Sequence, residues 1–112
     1  GAPSGLLEID DLQVGDGAEA TVGAQVTVHY VGVAHSTGTE FDASWNRDEP
    51  FTFTLGASQV IKGWELGVKG MKVGGRRRIT IPPHLGYGPS GVPGAIRPNE
   101  TLVFVVDLLG VE

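Results

Sequence analysis

Along Gln25–Val33 the side chains alternate, with Val26, Val28 and Tyr30 on one face and Thr27, His29 and Val31 on the other. A period of two is the mark of a strand. Weaker alternation over Leu6–Leu12 predicts a first strand, closed by a turn at Gly15-Asp16-Gly17. Ser36-Thr37-Gly38 predicts a turn that returns the chain into Thr39–Asp42. A polar loop over Ser44–Pro50 leads into the short alternating strand Phe51–Thr54. Beyond a tight turn at Val73-Gly74-Gly75, Arg76–Ile81 reads as a further strand. Pro82-Pro83 ends it, because proline cannot donate to a sheet ladder. Residues 84–100 are too rich in glycine and proline for helix or strand and form a long shaped loop; such loops are commonly functional or disordered. Thr101–Val111 closes the chain as an apolar strand.

One stretch, Gly56–Val68, has helical spacing instead: Val60, Ile61, Trp64 and Val68 make a single apolar stripe. Ser58 is the candidate N-cap, with a start two or three residues later as the alternative. Gly63 and Gly67 each cost on the order of 1 kcal/mol relative to alanine, so this helix depends on tertiary packing. A lone short helix is best placed across one sheet, with Trp64 where the two meet. The expected architecture is α+β, an antiparallel sheet packed on one short helix.

Composition narrows the function. A chain of 112 residues forms one domain, expected over residues 6–112, with Gly1–Gly5 as a flexible tail or a remnant of cloning. The formal net charge of −5 argues against a nucleic-acid surface. The absence of cysteine removes disulfides, thiol nucleophiles and thiolate metal sites, and fits a reducing compartment. No apolar run approaches the roughly 20 residues of a membrane span; a soluble, cytoplasmic, monomeric protein is expected. His29, His35 and His84 lack metal-ligand spacing, and no Gly-x-Ser-x-Gly elbow is present. Arg76-Arg77-Arg78 reads as a solvated strand beginning beside acidic neighbours.

The aromatic residues carry more information. Tyr30, Phe41, Phe51, Trp64, Tyr87 and Phe104 come from four strands, the helix and the long loop. Ordinary core packing accounts for each ring taken singly. Together they gather where elements converge beside the helix, as in an apolar cleft for a small ligand or peptide. Asp42, next to Phe41, would set one carboxylate at that cleft, or else serve as a strand-end turn residue.

At this point the chain resembles a family. Val28-His29-Tyr30-Val31-Gly32, Phe41-Asp42-Ala43-Ser44, Pro50-Phe51, Val60-Ile61-Lys62-Gly63-Trp64-Glu65 and Gly70-Met71 are similar to the FKBP-type peptidyl-prolyl cis–trans isomerases. So are Gly86-Tyr87-Gly88, Gly91, Pro93-Gly94 and Thr101-Leu102-Val103-Phe104. The pieces follow the family's order from about Gly5 to the last residue. The resemblance implies a five- or six-stranded antiparallel sheet wrapped around the short helix, with the site between them and no cofactor.

It also implies roles. Trp64 would be the floor for a proline ring, walled by Tyr30, Phe41, Val60, Ile61 and Phe104, with Phe51 beside them. Asp42 would be the polar group over the amide, and Tyr87 would offer its hydroxyl. The Ile61 N–H would bind a substrate carbonyl, and Arg47 would pair with Asp42 and Tyr30. Gln59, in place of a glutamate, would act through its carbonyl oxygen, and Ile96 would join the ligand-binding positions. Substrates would be proline-containing peptides and unfolded proteins. The macrolides rapamycin and tacrolimus would compete for the same pocket. Val92 and Ala95 depart from the larger or more polar residues of the family, which bears on sequence preference. Two other functions remain open from sequence: a proline-peptide binding module without turnover, and a hydrolase using Asp42 or a serine.

Overall fold

The computed structural model describes residues 5–112. The proposed tail falls almost wholly outside them, and Gly5 itself is exposed. Among the described residues, six strands form one antiparallel sheet: β1 (Glu8–Gln13), β2 (Gln25–Ala34), β3 (Glu40–Ala43), β4 (Phe51–Thr54), β5 (Arg76–Ile81) and β6 (Leu102–Val111). The spatial order is β1-β5-β6-β2-β3, with β4 also on β2. Both β3 and β4 use the same edge of β2. β4 takes its first half, Gln25–Val28, and β3 takes Val31–Val33. The rung at His29 and Tyr30 lies between them without a strand partner on that side.

The α-helix, α1 (Lys62–Val68), packs across β5. The alternation read in β2 is realised: Val26, Val28 and Tyr30 are buried in the core with Trp64, Val68, Ile79, Ile81 and Phe104. Gly63 and Gly67 explain how so short a helix lies so close. A Cβ at Gly63 would come within 2.5 Å of the Ile81 side chain, and one at Gly67 within 2.7 Å of Ile79. The two residues that weaken the helix intrinsically are those that let its backbone settle on the sheet.

Three expectations are corrected. Of the two helix starts offered, the later holds: the N-cap is Ile61, three residues after Ser58, the helix begins at Lys62, and Ser58 does not cap it but sits in the left-handed region at φ 58°. Glu65, in the first helical turn, instead accepts the N–H groups of Gly56 and Ser58. Val60 and Ile61 therefore precede the helix rather than extending its stripe. The first strand is shifted to Glu8–Gln13 and is exposed throughout. Lastly, the arginine run is not uniformly solvated. Arg76 and Arg78 are about half exposed and pair with Asp107 and Asp10, but the Arg77 side chain is only 11% exposed. Arg77 reaches under the sheet to donate to the carbonyls of Gly67 and Lys69 at the helix end, while pairing with Asp11.

The long loop is shaped as expected. A 3-10 turn at Pro83–Leu85 opens it and a bridge between Val92 and Ile96 folds it back. Gly91 is in the left-handed region at φ 60°, and a Cβ there would lie 2.4 Å from the Ile96 carbonyl oxygen. At its base, buried Glu100 accepts the Ser36 N–H and hydroxyl, tying the loop to the β2–β3 turn.

Candidate functional site

A cleft of about 190 Å³ opens between the sheet, the start of α1 and the long loop. Its base is Trp64, 4% exposed, with Tyr30 and Phe104 edge-on to it at ring-centre distances of 5.0 and 5.2 Å. Phe51 and Phe53 complete the ring set around the indole at 6.1 and 5.7 Å. Edge-to-face geometry directs positive ring edges at negative faces, so the rings hold one another in place. Phe41 stands perpendicular to Phe104 at 5.5 Å and forms the outer wall. Val60, Ile61, Gln59 and half-exposed Tyr87 close the remaining sides.

The rim holds one charged array. Asp42 Oδ2 accepts the Tyr30 hydroxyl at 2.5 Å, and Asp42 Oδ1 accepts Arg47 at 2.7 Å. Arg47 also donates to the Tyr30 oxygen at 3.0 Å, closing a three-membered network. Burial alone disfavours charge on Asp42. The hydrogen bonds from Tyr30 and Arg47 outweigh it and hold the carboxyl below its usual range. Tyr30 moves the opposite way: burial, then its bond to the carboxylate, push its hydroxyl above the usual phenol value. Arg47 is held protonated by the same two partners. At neutral pH the array is therefore a fixed carboxylate, a fixed phenol and a fixed guanidinium, with no group poised to exchange a proton. An apolar cleft with one immobilised dipolar array suits a ligand that needs desolvation and orientation.

The family model for FKBP-type peptidyl-prolyl cis-trans isomerases matches residues 17–109. The chain belongs to this family. An FK506-binding protein of Streptomyces anulatus is 60% identical over 112 residues, covering 99% of this chain and 90% of that relative. An FK506-binding protein of Neisseria meningitidis serogroup A is 53% identical over 107 residues, covering 96% of this chain and 97% of the relative. Among solved structures, FkpA from Escherichia coli superimposes with a TM-score of 0.87 at 42% identity. That alignment takes in all of this chain and 51% of FkpA, so the chain spans about half of that protein.

Of the positions singled out in this FKBP-type sequence, ten line the cleft: Tyr30, Phe41, Asp42, Phe51, Gln59, Val60, Ile61, Trp64, Tyr87 and Phe104. Arg47 stands beside them through Asp42 and Tyr30. Ile96 is buried at 7% exposure in the same core cluster as Tyr30, Trp64 and Phe104 and is not one of the ten residues around the cleft. The Gln59 side-chain carbonyl accepts the Thr54 N–H at 2.8 Å. Ile61, held extended ahead of the helix, has an N–H without a partner among the described residues. The residues missed by sequence reasoning are the supports: Glu65, which shapes the turn before the helix, and Ser44, taken as part of a polar loop but wholly buried. A serine and a glutamate on the surface read no differently in sequence from these two.

Proposed function

We propose that this FKBP-type domain accelerates cis–trans rotation about X–Pro bonds in peptides and folding proteins. Rotation is slow because the amide must lose its resonance, a barrier of roughly 18–20 kcal/mol. The isomers themselves differ by only about 0.5–1 kcal/mol, so neither a cofactor nor a driving force is required. A twisted amide has less charge separation than the planar one. Water favours the planar form, and a cleft that removes water favours the twisted form relative to it. A proline ring seated on Trp64 stays fixed while the carbonyl side turns. The Ile61 N–H holds a flanking carbonyl, and Asp42, Tyr30 and Tyr87 present fixed dipoles to the turning group. The binding is stronger in the transition state than in the ground state.

The observation that carries this reading is the Asp42–Tyr30–Arg47 network set at the rim of an aromatic cleft. The volume is apt: an apolar cavity on the order of 150 Å³ holds benzene, and this cleft, at about 190 Å³, is the size for one small ring. The macrolides tacrolimus (FK506) and rapamycin would occupy the same cleft, a reading supported by relatives that carry FK506 binding in their names. Exchange spectroscopy on a short Leu-Pro peptide tests the proposal. Catalysed interconversion that rapamycin abolishes is expected; interconversion at the uncatalysed rate with a folded sample refutes it and leaves a binding module.

A further inference from the structure

The rung of β2 left open between β3 and β4 is filled by a side chain. Ser44, the residue directly after β3, has no exposed surface. Its hydroxyl accepts the Tyr30 N–H at 2.7 Å, lies 2.8 Å from His29 Nδ1 and reaches the Tyr30 carbonyl at 3.3 Å. It thus meets both main-chain groups of Tyr30 that a strand partner would otherwise meet. Burying them unpaired would carry a desolvation cost, which is why the chain can leave β3 here without opening the sheet.

The chain then makes a single 3-10 turn over Ser44–Arg47, ended by Asp48 in the left-handed region at φ 49°. Residues three apart eclipse one another in a 3-10 helix. Arg47 is three residues from Ser44 and therefore projects from the same face, toward β2, where it meets Asp42 and Tyr30. The turn is also held from outside. Trp45 stacks on buried His29 at 3.8 Å with an interplanar angle of 16°, and His29 is the group that abuts the Ser44 hydroxyl. Ser44 is thus held by the Tyr30 main chain and by His29, which Trp45 covers from outside.

We infer that Ser44, held by the Tyr30 main chain and by a His29 ring that Trp45 covers, is a positioning residue that aims Arg47 at Asp42 and Tyr30 and so sets the geometry of the cleft rim. This rests on the proposed role of Asp42 for its effect on rate, but not for its effect on the Asp42 carboxyl. Ser44→Ala is tested by isomerisation rate and by NMR titration of the Asp42 side-chain carbon, alone and in an Arg47→Ala background. Misplacing a group by about 1 Å can cost roughly 100-fold; a fall in kcat/KM of about tenfold is expected here, with the Asp42 midpoint rising toward the ordinary value. In the Arg47→Ala background, Ser44→Ala should change neither reading further, because its influence passes through Arg47. Loss of thermal stability with rate and titration unchanged, or an equal loss in both backgrounds, overturns the inference. Should Ser44→Ala fail to fold, Trp45→Leu, at a half-exposed position, removes the cover over His29 and should raise the Asp42 midpoint to a smaller extent; an unmoved midpoint overturns it. If the wild-type chain proves not to catalyse, the titration alone decides for Ser44, and the two readings fail separately.

Discussion

Trp64 can be separated into its structural and its functional parts by two substitutions. Trp64→Ala removes a nearly fully buried indole from the centre of the aromatic set, which typically costs about 3–5 kcal/mol. Trp64→Leu leaves apolar volume in place and chiefly forfeits the edge-on pairs with Tyr30 and Phe104, at 87° and 83° between ring planes. Such pairs contribute about 0.5–1.5 kcal/mol each beyond burial, so a cost of about 1–3 kcal/mol is expected. Unfolding entropies of about 2.1 cal/mol/K per residue imply roughly 4 °C of midpoint per kcal/mol in a chain of this length. The expected losses are therefore about 13–21 °C for alanine and 4–13 °C for leucine. Thermal unfolding followed by circular dichroism reads the first effect. Peptide exchange at a temperature where both variants are folded reads the second: Trp64→Leu should keep a reduced but measurable rate, since the base of the cleft stays apolar but loses its flat face. Two midpoints equal to that of the wild type would show that the indole is not the keystone of the core. A full rate in Trp64→Ala would remove it from the site.

Asp42→Asn should lower the isomerisation rate moderately and Asp42→Val more, and the wild-type rate should be flat over about pH 6–8 because the carboxyl is already held below its usual range; a steep profile there, or two equally inactive variants, would argue for proton transfer. The same depression gives a sign for stability: Asp42 contributes above its unfolded value near 3.8 and loses that contribution as pH falls through its lower folded value, so Asp42→Asn should flatten the acid limb of a midpoint-versus-pH curve. Gly63→Ala gains about 1 kcal/mol of helix propensity but drives a methyl into Ile81, an overpacking cost of about 1–3 kcal/mol; the midpoint should fall, and a rise would show that the helix can lift off β5 freely. Arg77→Met should cost about 1.5–3 kcal/mol, because it strands two helix-end carbonyls and Asp11, whereas Arg76→Met should barely move the midpoint; chemical denaturation of the two variants compares them directly.

The clearest strands were legible because one face is covered and the side-chain period of two writes that face into the sequence, whereas β1, exposed throughout, was read with shifted bounds. β4 and β5 fall where the alternation put them, and Val26, Val28 and Tyr30 are the buried side of β2. The six aromatic cleft residues and Asp42 were legible from the pattern, since they gather from six elements, whereas Gln59, Val60 and Ile61 entered the site only through the family resemblance. What local pattern could not decide was anything set by contact between distant segments. The helix begins at Lys62, not near Ser58, because Glu65 satisfies the amides ahead of it and the packing of Gly63 and Gly67 on Ile81 and Ile79 selects which turn is helical. The middle arginine of a uniform run is largely covered because its strand position faces the helix end, while its neighbours face water. Ile96, in the loop folded back by its bridge to Val92, is buried in the core, which a stretch of glycine and proline gives no local sign of. A buried serine carries no mark in sequence that separates it from an exposed one. Only the gap between β3 and β4, a product of tertiary pairing, makes the Ser44 hydroxyl part of the sheet.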